Sequence, residues 1–76
     1  MNGVMKIKRD SVSSTSLKSV GYDENTKELE IEFNDGRLYQ YFSVPSNEYE
    51  NFMNASSLGR YFVKNIRNNY SFNRIK

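Results

Sequence analysis

The chain has no cysteine, no histidine and no tryptophan, and a single proline among its 76 residues. Without cysteine there is neither a disulfide framework nor a thiolate metal site, so the usual staple of small secreted domains is missing and a cytoplasmic location is expected. Without histidine the chain also lacks the commonest general base, the commonest metal ligand and the base of a Ser–His or Cys–His pair. Only carboxylates and hydroxyls remain for chemistry. A chain this short buries about 60% of the surface its unfolded form exposes, which leaves little room for an enclosed active site. The expectation is a non-catalytic binding domain with no cofactor and no metal. Long apolar runs are missing too: nothing approaches the roughly 18 residues needed to cross a bilayer. Met1–Asp10 carries charges where a secretory leader needs about 7–15 apolar residues. The expected protein is soluble and has no membrane partner.

What the chain does have is aromatic rings. Six Tyr and five Phe supply a large share of the apolar side chains, enough for a modest core and too many for a disordered chain. Charge is distributed unevenly. Residues 1–22 carry Lys6, Lys8, Arg9 and Lys18 against Asp10, and residues 23–50 carry eight acids against Lys27 and Arg37. Residues 51–76 hold Arg60, Lys64, Arg67, Arg74 and Lys76 and no acid. An acid-free basic segment is the electrostatic footprint of a phosphate-binding surface. Charge alone leaves open the other reading, a solvated helix face that balances an acidic sheet.

The pattern along the chain is strands, then helices. After Ser11–Ser16, which has the composition of a loop, Leu17–Tyr22 alternates loosely and ends in the turn formers Asp23–Glu24–Asn25. Glu28–Phe33 is clearer, since Leu29, Ile31 and Phe33 alternate with Glu28, Glu30 and Glu32 as in a strand buried on one face. Asn34–Asp35–Gly36 then predicts a hairpin turn. A three-residue loop sets Phe33 opposite Arg37 and puts Tyr39 and Tyr41 on the core side, whereas a two-residue turn aligns them with the glutamates. Asn34 ahead of Asp35–Gly36, and the gain from packing two rings, favour the first register. Pro45 is placed to open a helix with Glu48 in its first turn and Tyr49, Phe52 and Met53 inward. Ser57 can cap a second helix carrying Leu58, Phe62, Ile66 and Tyr70 on one side and Arg60, Lys64 and Arg67 on the other. In the tail, Phe72 and Ile75 leave a strand-like spacing that can pack back on the sheet. The expected fold is α+β: a three-stranded antiparallel β-meander over about residues 17–42, followed by two α-helices at about 45–55 and 58–69 packed on one face. A single domain at 17–76 would follow an N-terminal arm or loop at 1–16.

Several of these residues also occur together in a known family. Ser13–Ser14, Leu17, Ser19–Val20–Gly21–Tyr22–Asp23, Leu29–Phe33 and Gly36, then Tyr39–Gln40–Tyr41, Val44–Pro45 and Ser57–Phe62 through Ile66 to Tyr70, resemble the KTSC domain family. That domain is named for the C-terminus of some lysyl-tRNA synthetases and is also found in small stand-alone bacterial and phage proteins. The resemblance covers most of residues 12–72. It implies a β-meander followed by two helices, and RNA binding suggested by the synthetase context; it brings no catalytic residues. The chain departs from the family at Val63, where the pattern carries Asn after the Tyr–Phe pair.

Two functions are therefore expected, from different classes. The first is a nucleic-acid-binding module, with RNA as partner, that uses Arg60, Lys64, Arg67, Arg74 and Lys76 on phosphates. Tyr39 and Tyr41 are candidates for base stacking in it, with a core role as the other reading. The second is a protein-interaction or modulator module of phage or prophage type, acting through its acidic sheet face or an exposed aromatic patch. Glu28, Glu30 and Glu32 are expected to form a solvated face, because carboxylates roughly 7 Å apart along a strand do not converge on one ion. Ser13, Ser14 and Ser57 can contact phosphate, or simply form turns and caps.

Overall fold

A computed structural model describes residues 7–76. The strictly alternating segment becomes the central strand β3 (Glu28–Phe33), with β2 (Leu17–Asp23) on one side and β4 (Leu38–Tyr41) on the other. Two further strands of three residues each, β1 (Arg9–Ser11) against β2 and β5 (Phe72–Arg74) against β4, complete a five-stranded antiparallel sheet of order β1-β2-β3-β4-β5. The expected three-strand meander is the middle of this sheet, and each edge carries one more strand. Part of the expected N-terminal arm is thus structured as β1; its residues 1–6 lie outside the described residues.

The hairpin takes the three-residue loop. Phe33 N–H donates to the Arg37 carbonyl at 2.9 Å and Gly36 N–H to the Phe33 carbonyl at 2.9 Å, with Gly36 at φ 95°. That positive φ suits glycine. Ile31 therefore faces Tyr39 and Leu29 faces Tyr41, which places both tyrosines on the core side. The loose alternation of β2 has a physical cause as well. The register shifts between Leu17 and Ser19, a bulge that leaves Lys18 exposed and lets Leu17 and Val20 both point inward.

Both helical segments pack on this inner face. In α1 (Ser46–Met53), Pro45 is the N-cap, its carbonyl accepts from Glu48 and Tyr49 N–H, and Phe52 is fully buried. α2 (Leu58–Tyr61) is capped by Ser57, whose Oγ accepts from Arg60 N–H. The expected uninterrupted second α-helix does not continue: Phe62–Ile66 forms a π-helical turn, with Arg67 N–H donating to the Phe62 carbonyl at 2.9 Å. The apolar residues Leu58, Phe62, Ile66 and Tyr70 recur every four residues, more than the 3.6 of an α-helix turn. Widening the turn keeps Phe62 and Ile66 on one face, where both are buried with Leu17, Val20, Leu29, Ile31, Tyr41 and Phe52.

The outer face of the sheet corrects another expectation. Glu30 is not solvated; it is 6% exposed and held by Arg9 Nη1 at 2.5 Å and Gln40 Nε2 at 3.2 Å. Arg9 also donates to Ser19 Oγ, which in turn donates to Glu32. β1 brings Arg9 across Gly21, its partner in register, and so covers the acidic strand with a cation. Among the described residues no buried side-chain polar atom lacks a hydrogen-bond partner. No helix in this part of the chain is long and apolar enough to cross a membrane.

Candidate functional site

The three-residue hairpin loop decides which side chains can meet a ligand. It turns Tyr39 and Tyr41 inward, and β5 then adds Phe72 opposite Tyr41 on the same face. From the other side comes the end of the π-turn. Between them lies an open groove of about 450 Å³. Its base is Tyr41 and Phe62, which are buried and meet edge to face with ring centroids 5.6 Å apart. Phe72 is 50% exposed and lies against both tyrosines, at 5.4 and 5.5 Å. Val63, at 47% exposure, and Asn68 face it from the helical side.

Two arginines stand in the groove lining, and no Asp or Glu is among the lining residues. Arg67 follows directly from the π-turn. Arg37 follows the hairpin loop, with its guanidinium 5.0 Å from the Phe33 ring centroid and 5.9 Å from that of Tyr39, and with Nε donating to Asp35 at 2.8 Å. The Arg37 backbone N–H, and then its guanidinium, hold the Asp35 carboxyl below its ordinary range. Burial pushes the Tyr41 phenol up to about 12, and Arg37 and Arg67 pull the other way, so both cations act on the groove's base.

The expected site residues separate in this geometry. Arg60, Lys64, Arg67, Arg74 and Lys76 are all exposed, and none takes part in an ion pair among the described residues. Only Arg67 of the five lines the groove; the wider turn disturbs the expected spacing of Arg60, Lys64 and Arg67 along a single α-helical face. Arg74 lies on β5 opposite Tyr39, and its Nε donates to the Lys76 carbonyl. Tyr39 is half-buried at the groove, while Tyr41, at 2% exposure, belongs to the core and offers no free face to a base. Arg37 and Phe72 were absent from the expected set. A signal for Phe72 existed in the strand-like spacing of the tail; for Arg37 it lay in the three-residue loop, which puts it beside Phe33. The hydroxyls of Ser14 and Ser57 are occupied by backbone N–H groups, as turn and cap residues.

Residues 13–70 match the model of the KTSC domain. The chain belongs to the KTSC domain family. A protein of Stutzerimonas stutzeri is 45% identical over 56 residues, which cover 74% of this chain and 79% of that protein. A lysine–tRNA ligase of Nostoc punctiforme is 37% identical over 59 residues, 78% of this chain but 10% of the ligase. The KTSC domain thus also occurs as a small part of a much longer enzyme. The crystal structure of a KTSC domain protein from Yersinia pestis superposes with a TM-score of 0.87 at 39% identity, covering 93% of this chain and all of that one. The α+β architecture is therefore that of a solved family member, and the groove lies within the matched residues apart from Phe72, in the tail strand.

Proposed function

We propose that this KTSC domain is a non-catalytic nucleic-acid-binding module, with RNA as its partner, that acts by binding alone. The observation that carries the reading is the state of the basic third. All five cations of residues 51–76 are exposed, none is neutralised by a carboxylate among the described residues, and Arg67 and Arg37 both line an aromatic groove. Cations left unpaired on one segment favour phosphate contact through counterion release. The occurrence of related sequence inside lysine–tRNA ligases supports RNA over other polyanions. The absence of histidine and cysteine from the sequence supports binding without chemistry.

The test is fluorescence anisotropy with labelled oligoribonucleotides at several salt concentrations. Replacing Arg60, Lys64 and Arg67 together by Gln should leave the fold intact and weaken binding almost equally for unrelated sequences. It should also flatten the salt dependence by roughly 0.7 in slope for each phosphate no longer neutralised. Equal binding by parent and triple variant would exclude these three cations as phosphate contacts. No binding by the parent at physiological salt would move the assignment to a protein-interaction module. In that case the half-exposed Phe72 and Val63 are the contact surface, because the acidic sheet face is already covered by Arg9.

A further inference from the structure

We infer that the groove between β4–β5 and the π-turn seats one unstacked nucleotide of a single-stranded RNA, with Phe72 as the stacking platform and Arg67 and Arg37 on the flanking phosphates. This rests on the nucleic-acid reading above and goes beyond it: charge on the helix gives affinity for any polyanion, whereas the groove selects for an unpaired base.

Four observations point to this occupant. The volume of about 450 Å³ lies in the range of small-molecule sites, roughly 300–1,000 Å³, large enough for a base and its sugar and too small for a duplex. Its exposed apolar surface is aromatic where it meets the sheet: Phe72 rests against Tyr39 and Tyr41 and leaves half its surface open, which gives a flat, backed ring. Such a platform stacks on a base without regard to sequence. The lining carries two arginines and no carboxylate; Arg37 is paired with Asp35, and Arg67, in no ion pair among the described residues, supplies the uncompensated charge that complements a phosphate. Arg37 is already stacked over Phe33 and Tyr39 with its Nε held by Asp35, so it is positioned at little further entropic cost. A base inside a helix is stacked on both faces and would have to be flipped out to reach Phe72.

The experiment measures binding of a labelled eight-nucleotide single strand and of its perfect RNA duplex, by anisotropy, to the full chain. The parent should bind the duplex weaker by about tenfold or more, the cost of unpairing a base. Phe72→Ala should weaken single-strand binding by about 5- to 150-fold, the range for removing one stacked base. Arg67→Gln should flatten the salt slope by roughly 0.7. Because Phe72 also belongs to an edge strand, Val63→Glu and Val63→Gln form an independent pair. Val63 is half-exposed and outside the strands, so neither change should unfold the domain, and only the carboxylate should expel the phosphate. If Phe72→Ala and Val63→Glu bind the single strand like the parent, or if duplex and single strand bind equally, the groove assignment is wrong and the basic face alone carries binding. If the parent binds no RNA, both assignments fall. A concentration-dependent dimer abolished by Val63→Glu would make the occupant a second copy of the chain and would overturn the proposal as well.

Discussion

At Gly21 a methyl group would lie 2.4 Å from the Lys8 carbonyl oxygen and 2.7 Å from Ile7 Cγ2. The Lys8 backbone, just ahead of β1, would have to shift, so Gly21 is what lets β1 lie close enough for Arg9 to cross to Glu30. Gly21→Ala should cost about 1–3 kcal/mol in urea denaturation, by pushing β1 away and leaving the buried Glu30 short of its cation. Arg9→Met should cost a similar amount. If both act through the same ion pair, the destabilisation of the double variant will fall short of the sum of the two; full additivity would show that Gly21 matters for another reason. Gly59 behaves in the opposite way. A Cβ there meets only the Ser16 side chain, Oγ at 3.5 Å and Cβ at 3.7 Å, both ordinary contacts. Gly59→Ala in α2 should therefore stabilise by about 0.5–1 kcal/mol, read as an upward shift of the urea midpoint. Val63 is at the groove wall and not in the core, so Val63→Asn should change stability by no more than about 0.5 kcal/mol while altering what the groove can hold.

At the scale of elements, the π-turn keeps inward the same pair that an α-helix would bury, so truncating either residue tests the register of this segment. Phe62 and Ile66 are the buried pair and Val63, next to the first, is half-exposed. Phe62→Ala or Ile66→Ala should cost about 2–5 kcal/mol through reduced burial and cavity formation. A parent-like melting curve for either variant would show that this turn is registered differently. The elements that sequence made legible are those whose burial imposes a period. β3 alternates because one face is dry, the Asn34–Asp35–Gly36 loop set the register of β4, and the four-residue spacing of Leu58, Phe62, Ile66 and Tyr70 marked the second helical segment. That same spacing is read equally well as an ordinary α-helical stripe, so the wider turn at Phe62–Ile66 was not legible in it. β1 and β5 were harder to see, because three residues with little burial carry no period of two. Glu30 looked like a solvated residue because its cover, Arg9, is 21 positions away. The groove was legible in part: its basic and aromatic residue types were evident, but Arg37, Arg67 and Phe72 come from three separate elements and no local pattern joins them.

For the molecule as a whole, one carboxylate ties the two helical segments together and makes the fold sensitive to alkali. Glu48, in the first turn of α1, accepts hydrogen bonds from both the Tyr61 and Tyr70 phenols, the latter at 2.8 Å. The bond to Glu48, followed by burial, raises Tyr61 to about 12, and burial followed by the same carboxylate raises Tyr70 to about 12, from an ordinary value of 10.0. Each phenol is favoured in its neutral form in the folded state, since ionising it would set an anion against Glu48. A folded value above the unfolded one means that the contribution is fully present below pH 10 and is lost as the pH rises from about 10 to about 12. Stability measured by denaturation should therefore fall steeply over that window. Tyr61→Phe combined with Tyr70→Phe should start lower at neutral pH, without those two bonds, but should decline less between pH 10 and 12. Tyr41, buried and also raised to about 12, keeps part of the decline in both proteins. Phenolate absorbance gives a second readout, because Tyr61 and Tyr70 should ionise late in the native parent together with Tyr22, Tyr41 and Tyr49, and only the last three should do so in the double variant. Identical alkaline slopes for the two proteins would show that Glu48 does not clamp the helices through these phenols.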